Sequence, residues 1–241
     1  YVDIDAAETE LLFRVSPNLG VNLRQVVSAL NRYPYGCIEQ TSSGLRGVIA
    51  FADVNGLSQN VKKKINAGVN RILAKQQSSG AFGYWSKYSS VYNRYQPYAI
   101  DTLRKSLAYA EDRDKVIAAI SDGLEYLYRT DLDDPLDQMY AYGLLARSGY
   151  EVTSRARYVI DREFELDELI TKVVAENFNI DGYLDELSLA YWVSINIGDE
   201  RRADAIQNLM AAVLEQAQDN LESHSDQIEM WRSPEFLGPV S

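Results

Sequence analysis

The chain of 241 residues has a single cysteine, Cys37, which stands three residues before Gln40. One cysteine cannot form an intrachain disulfide, and it lacks the several Cys or His ligands of a structural metal site. Residues three apart share a helix face, with Cβ atoms about 5–6 Å apart. At that range the sulfur of Cys37 could attack the side-chain carbonyl of Gln40 and release ammonia. The product would be an internal thioester, an acylating group stored within the fold.

An amide is a poor acyl donor, so this reaction depends on holding the thiol and the amide together. Oriented groups reach effective molarities of about 10⁵–10⁸ M, which shows how much proximity can contribute. The thioester would survive only where water and amines are excluded. Tyr33 and Tyr35, just ahead of the cysteine, are placed in the sequence to supply an aromatic lid.

The residues around Cys37 predict a turn followed by a new helix. Pro34 disfavours helical backbone at the residue before it, so the helix predicted for residues 23–32 should end there. From Cys37 onward apolar residues recur at helical spacing. The predicted buried stripe consists of Ile38, Leu45, Ile49 and Ala52. This pattern puts Cys37 in the first turn of the new helix.

Most of the chain shows the three- and four-residue apolar spacing of amphipathic helices. Short polar segments interrupt it at residues 52–56, 110–114, 147–150 and 196–200. Links of this length join antiparallel neighbours, so we predict an all-α fold of helical hairpins. The spacing fits an open solenoid and a closed α/α toroid equally well. We interpret residues 1–19 as a short strand or linker toward a neighbouring domain, and residues 20–241 as one helical domain.

A glycine-rich segment, GAFGYW at residues 80–85, interrupts the helical pattern. Its two glycines and aromatic residues predict a compact loop that packs Phe82 and Trp85 against helix ends. Several tyrosines crowd this region, and we interpret them as packing residues rather than as a platform for carbohydrate or bases. They are Tyr84, Tyr88, Tyr92, Tyr95 and Tyr98.

Charge and composition exclude several classes of function. The net charge of −11 argues against nucleic acid as a partner, because phosphate binding relies on clustered Lys and Arg. No run of about 18 apolar residues could span a bilayer, and no signal-peptide pattern is present. The start at Tyr1 rather than Met is typical of a piece of a longer polypeptide. We expect neither a metal nor a cofactor.

The stretch YGCIEQT at residues 35–41 resembles the Gly-Cys-x-Glu-Gln thioester signature of the alpha-2-macroglobulin and complement family. The preceding YPYG, residues 33–36, resembles the bacterial branch of that family. Two flanking segments, SPNL at residues 16–19 and GAFGYW at residues 80–85, stand in the order seen in the family's thioester-containing domain. The resemblance spans most of the chain.

The resemblance implies an α/α toroid that forms part of a protease trap. In such a trap, cleavage of a bait segment exposes the thioester, which then captures the attacking protease through a lysine amine. The chain would therefore be a single-use covalent inhibitor and not a turnover enzyme. By this carry-over Cys37 supplies the thiol and Gln40 the acyl group, while Glu39 orients the ring or a nearby backbone N–H.

Further expectations follow from the same resemblance. Gly36, Tyr33 and Tyr35 would support the site, and neighbouring domains of the same polypeptide would shield it. The parent protein would be periplasmic and tethered to the inner membrane by lipid.

Two features depart from the family pattern. Some complement relatives carry a mid-chain histidine that attacks the thioester first, whereas the only histidine here is His224 in the C-terminal tail. We therefore expect direct attack by amines. Family domains also continue with further helices beyond a segment like residues 236–241, so we expect the toroid to lack its closing helices at the C-terminus.

Three other readings remain open on the residues alone. The first is a helical-toroid binding scaffold in which Cys37 is a free, buried thiol. The second is a Cys–His hydrolase, which would need Cys37 to meet His224. The third is a carboxylate-based glycoside hydrolase, since α/α toroids also host sugar-cleaving enzymes that use two acids. The candidate acid pairs are Asp133–Asp134, Glu163–Glu165 and Asp185–Glu186.

Overall fold

The computed structural model describes residues 36–163 and 184–223. Its eight α-helices in these ranges are α1 Ile38–Asn55, α2 Gln59–Leu73, α3 Gln96–Ser106, α4 Arg113–Arg129, α5 Pro135–Arg147, α6 Thr153–Glu163, α7 Leu184–Asn196 and α8 Glu200–Ser223. Within the described residues, β pairing is limited to two isolated antiparallel bridges, Gln76 with Phe82 and Gly83 with Val91. The predicted all-α class is confirmed.

The helices begin and end where local chemistry favours it. Ser58, Asp112 and Asp134 are the N-caps of α2, α4 and α5, and each accepts hydrogen bonds from backbone N–H groups of the first turn. Gly149 and Gly198 follow α5 and α7 with φ of 87° and 71°, a conformation that favours glycine. All four polar segments identified in the sequence lie at helix junctions.

Successive helices form hairpins that stand side by side. Each of α1, α3, α5 and α7 contacts the helix that follows it, and these four helices also contact one another in succession. One close approach in this row lies between α5 and α7, where a Cβ at Gly143 would clash with the ring of Trp192. Glycine at this position therefore lets the two helices pack closely.

The apolar stripe of α1 faces the core as predicted. Ile38, Leu45, Ile49 and Ala52 are all buried and belong to the main hydrophobic cluster. In the described part of the chain, no helix is both long enough and apolar enough to cross a membrane. The predictions for residues 1–19, the helix at residues 23–32, the lid residues Tyr33 and Tyr35, and His224 lie outside the described residues.

Candidate functional site

Cys37 is the N-cap of α1, and its side chain lies against Gln40. The backbone N–H of Gln40 donates to Cys37 Sγ at 3.4 Å. In return, Gln40 Oε1 accepts from the backbone N–H of Cys37 at 3.2 Å. Cys37 is only 2% exposed, whereas Gln40 is exposed. The first turn thus holds the thiol and the amide together, with the amide accessible from outside.

This reciprocal contact is a capping box, in which the side chains of the N-cap residue and of the third helical residue satisfy each other's backbone N–H groups. Ser and Thr usually fill the N-cap of such a box, and thiol sulfur is a weaker acceptor than a hydroxyl. The arrangement also has a chemical consequence. If sulfur attacked the Gln40 carbonyl, negative charge would develop on Oε1, which already accepts a hydrogen bond from Cys37 N–H.

Glu39 is the neighbour of the reactive pair on the same turn. Its Oε2 lies 3.8 Å from Cys37 Sγ and accepts from the thiol, while its Oε1 accepts from Ser43 Oγ at 3.3 Å. Ser43 Oγ also lies 3.1 Å from the hydroxyl of Tyr98 on α3. We expected Glu39 to orient the thioester ring or a backbone N–H. Its hydrogen bonds in this structure are to the thiol and to the Ser43 hydroxyl, and its predicted role toward the thioester ring stays a prediction.

A loop of residues 74–92 packs over the first turn of α1. The carbonyl oxygen of Tyr84 accepts from the backbone N–H of Ile38 at 2.8 Å, which satisfies another unpaired donor of the helix end. A hydrogen bond with Cys37, together with burial, raises the pKa of Tyr84 to about 12. The phenol of Tyr84 is therefore a neutral hydrogen-bonding group beside the sulfur at neutral pH.

Lys75, just after α2, fastens this loop to the residue before the cysteine. Its Nζ donates to the carbonyl oxygens of Gly36 at 3.1 Å and Trp85 at 2.6 Å. The side chain is 8% exposed, and burial lowers the pKa of Lys75 although the nearby Cys37 opposes the shift. A Cβ at Gly36 would lie 3.0 Å from Thr41 Oγ1, so the close packing here favours glycine.

The two aromatic residues predicted to pack inward behave differently. Phe82 is fully buried, and Gln96 holds its backbone by accepting from Phe82 N at 2.7 Å and donating to Phe82 O at 2.9 Å. Trp85 is 57% exposed, so the prediction that it tucks against helix ends is wrong. The buried amide of Gln96 fixes Phe82 inward, and the chain then turns Trp85 toward solvent.

Exposed aromatic side chains surround the site on the loop side. Tyr88 is 86% exposed. Tyr92 is also exposed, and with Trp85 it forms what we term the aromatic patch. Tyr84 packs under this patch, with its ring 5.1 Å from Trp85 and 4.8 Å from Tyr92. Beside it lies a cavity of about 390 Å³, lined by Gly36, Thr41, Arg71, Ala74, Lys75, Trp85 and Ser86.

Sequence reasoning missed three residues of this site: Lys75, Tyr84 and Gln96. No local pattern marks Lys75 or Gln96, because both act through backbone groups far away in sequence. Tyr84 lies within the glycine-rich segment that the sequence singled out, but nothing in the sequence indicates its hydrogen bond with Cys37.

Asp133 and Asp134, one of the candidate acid pairs, lie apart from this site. Asp134 caps α5 by accepting from the backbone N–H groups of Leu136 and Asp137. Burial and the nearby Asp134 raise the pKa of Asp137 to about 6. Asp133 lines a second cavity of about 490 Å³, among whose other lining residues are Asp131, Arg155 and Arg162. Glu165 and the side chain of Asp185 lie outside the described part of the structure.

No protein-family model matches the chain. The chain is 31% identical over 168 residues to alpha-2-macroglobulin of Escherichia coli strain K12, an alignment that covers 65% of this chain and 10% of that protein. The native conformation of E. coli alpha-2-macroglobulin superposes with a TM-score of 0.58 at 23% identity, over 79% of this chain and 12% of that one. Salmonella alpha-2-macroglobulin reacted with methylamine superposes with a TM-score of 0.56 at 23% identity, over 78% and 13%.

The chain thus spans about a tenth of the length of its curated relative. Sequence similarity and fold agree on the same group of proteins, and the thioester-like motif at Cys37 lies at a helix start that the fold positions. The chain is thus similar in sequence to alpha-2-macroglobulin of Escherichia coli, and its fold matches that protein over 79% of its length.

Proposed function

We propose that residues 20–241 are the thioester domain of a bacterial alpha-2-macroglobulin-like protease trap, with Cys37 and Gln40 as the two halves of the thioester. The observation that carries this proposal is their reciprocal contact in the first turn of α1. A capping box alone accounts for the contact but not for the choice of a thiol, since Ser, Thr or Asp caps better. The chemistry of a thiol facing a primary amide accounts for both.

The proposed reaction has two steps. First, Cys37 Sγ bonds to the Gln40 side-chain carbon, the carbon–nitrogen bond breaks, and the nitrogen leaves as ammonia. Later, a lysine amine of a bound protease attacks the same carbon and expels the Cys37 sulfur, which takes up a proton. The final product is an amide between the trap and the protease. Each chain reacts once, which is the behaviour of a covalent inhibitor rather than a turnover enzyme.

Direct reaction with amines fits what is known of a relative. The Salmonella protein was crystallised after reaction with methylamine, and we expect the same small amine to react here. No histidine lies among the described residues. An amine would therefore attack the thioester without a histidine intermediate.

We also propose that a neighbouring domain of the parent polypeptide covers the aromatic patch. Exposed aromatic side chains beside a water-sensitive bond are suited to packing against a second apolar surface. The row of helical hairpins is the arrangement from which an α/α toroid is built. The closed toroid, the periplasmic location and the lipid anchor of the parent protein stay predictions.

Two substitutions separate the proposed chemistry from capping. Cys37→Ser and Gln40→Glu both retain side chains suited to a capping box, but neither variant can form the thioester. We expect each to reduce covalent incorporation of a fluorescent primary amine by more than about 100-fold, the scale of losing a positioned reactive group. Helical content measured by circular dichroism should be unchanged.

Gln59→Glu is a matched control, because Gln59 is exposed at the start of α2 and the substitution changes charge in the same way. This variant should couple like the wild type. Wild-type coupling that persists in Cys37→Ser would contradict the proposal. In that case Cys37 would be a structural thiol in a binding scaffold.

A further inference from the structure

We propose that Glu39 is the proton carrier for thioester formation: it takes the proton from Cys37 Sγ and delivers it to the departing nitrogen of Gln40. This inference rests on the proposed thioester and assigns a role within it. Glu39 touches the reacting sulfur, since its Oε2 accepts from the thiol at 3.8 Å.

The position of the carboxylate is fixed from its other side. Glu39 Oε1 accepts from Ser43 Oγ at 3.3 Å, and Ser43 in turn contacts the Tyr98 hydroxyl at 3.1 Å. One oxygen is therefore held on the helix surface while the other faces the sulfur. A carboxylate with one fixed and one free oxygen is well arranged to accept a proton.

The surrounding groups are less suited to that task. The phenol of Tyr84 is protonated at neutral pH, as any tyrosine is, and its raised pKa makes it a still weaker acid. Lys75 donates to the carbonyl oxygens of Gly36 and Trp85. Among the described residues, Glu39 is the carboxylate that contacts the sulfur.

Groups present at the site can carry every proton that the proposed reaction moves. Glu39 receives the thiol proton as the sulfur–carbon bond forms, and the negative charge moves to Gln40 Oε1, which accepts from Cys37 N–H at 3.2 Å. When the tetrahedral intermediate collapses, the carbon–nitrogen bond breaks and Glu39 gives the proton to the amide nitrogen. One thiol and one primary amide become one thioester and one ammonia, and Glu39 returns to its carboxylate form.

The test follows thioester formation directly. The full chain is isolated in its unfolded state from inclusion bodies, and its intact mass is checked to confirm that Gln40 is still an amide. It is then folded by dilution, and released ammonia and free thiol are measured over time at several pH values. We expect Glu39→Gln to slow ammonia release about 100-fold, the lower range for a positioned acid–base group. The rate of ammonia release by Glu39→Gln should rise about tenfold per pH unit, because the thiol of Cys37 must then lose its proton to solvent. The wild-type rate should depend much less on pH.

Two further variants test whether the slower reaction of Glu39→Gln comes only from losing a negative charge at the start of a helix. Asp114 occupies in α4 the same second helical position that Glu39 occupies in α1, so Asp114→Asn removes a comparable helix-end charge far from the sulfur. It should leave ammonia release unchanged. Glu39→Asp keeps a carboxylate, so we expect an intermediate rate with the shallow pH dependence of the wild type.

Other titratable groups that face Glu39 could also affect how the rate of ammonia release depends on pH. These are Cys37 on its own turn, Tyr84 from the loop and, through Ser43, Tyr98 on α3. Each is present in both wild type and Glu39→Gln, so a change in slope between them reports on Glu39.

The outcomes are distinguishable. If the wild type releases ammonia and Glu39→Gln matches it in rate and slope, the role of Glu39 is wrong and the proposed thioester stands. If ammonia release by Glu39→Asp depends on pH as steeply as in Glu39→Gln, the proposed role of Glu39 is also wrong. Wild-type protein that folds but releases no ammonia would overturn both the proposed function and this inference.

Discussion

Helix α1 carries two polar clusters that differ in how their atoms are paired. In its middle, the Arg46 guanidinium donates to Asp101 Oδ2 at 2.8 Å, to Thr102 Oγ1 at 2.8 Å and to the Tyr140 hydroxyl at 2.8 Å. It also lies 3.8 Å from the centre of the Tyr98 ring. At the start of the helix, by contrast, the thiol of Cys37 has only weak sulfur hydrogen bonds.

The two clusters suggest two different uses of polar side chains, one to hold helices in place and the other to carry out a reaction. The Arg46 cluster joins a positive and a negative side chain and ties α1 to α3 and α5, so its natural role is to fix the positions of these helices. The cluster at Cys37 joins a thiol, an amide and a carboxylate within one turn. None of these contacts ties distant helices strongly together, and this difference is what motivates the proposed chemistry.

The largest effect on stability should come from the Arg46 cluster. Arg46→Met leaves Asp101 largely buried with only Lys105 as an ionic partner. We expect the free energy of unfolding to fall by about 3 kcal/mol, as when a buried ion pair loses one member. Urea unfolding measures this. Coupling of an amine to the folded variant should stay within about twofold of wild type, because the hydrogen bonds of Arg46 in the described structure go to Tyr98, Asp101, Thr102 and Tyr140 and not to Cys37 or Gln40.

Arg201→Met provides the comparison, since Arg201 is exposed on α8. It should change the free energy of unfolding by less than about 0.5 kcal/mol. If Arg46→Met folds but no longer couples an amine, the Arg46 cluster is needed for the reaction and the two clusters do not have separate roles.

Acid should weaken the Arg46 cluster in a defined pH range. Burial opposes ionisation of Asp101, but hydrogen bonds and charges from Lys105 and Arg46 outweigh it and hold its pKa below the ordinary value. The folded-state pKa is thus below that of the unfolded chain. The stabilisation is present above about pH 4, the ordinary Asp value, and is lost as pH falls through the folded-state pKa.

The check is the unfolding free energy measured from pH 6 down to pH 2. Asp101→Asn should flatten the acid limb relative to wild type and be less stable above pH 4. An acid limb that is the same in both proteins would show that other carboxylates control it.

The smallest effect should come from the cap of α1. Relative to wild type whose thioester has first been opened with methylamine, Cys37→Ser exchanges one cap for a better one, so the free energy of unfolding should change by less than about 0.5 kcal/mol. Asp134→Ala, which removes an ordinary cap from α5, should destabilise the protein by about 1 kcal/mol. Thermal unfolding compares the two. A large loss of stability in Cys37→Ser would mean that the thiol is mainly structural.

The fold was predictable where local patterns decide it. The buried stripe of α1 and the helix junctions followed from apolar spacing and short polar links, because both depend on residues close in sequence. The contact of Cys37 with Gln40 was predictable for the same reason, since a three-residue spacing places both on one turn.

The surroundings of that pair were not predictable. Lys75 reaches Gly36 across 39 positions, and the inward orientation of Phe82 depends on Gln96, 14 residues later. Such contacts depend on tertiary packing that no local pattern encodes. The sequence therefore predicted that the loop is compact but not that Trp85 points outward.

The most direct measurement is the intact mass of the chain, combined with titration of free thiol before and after methylamine. With a thioester between Cys37 and Gln40, we expect a mass lower than the sequence mass by one ammonia, and no free thiol until methylamine adds and releases one. If water has already opened the bond, peptide mapping should find Glu at position 40. Full mass, a free thiol from the outset and an unmodified Gln40 amide would contradict the proposed thioester.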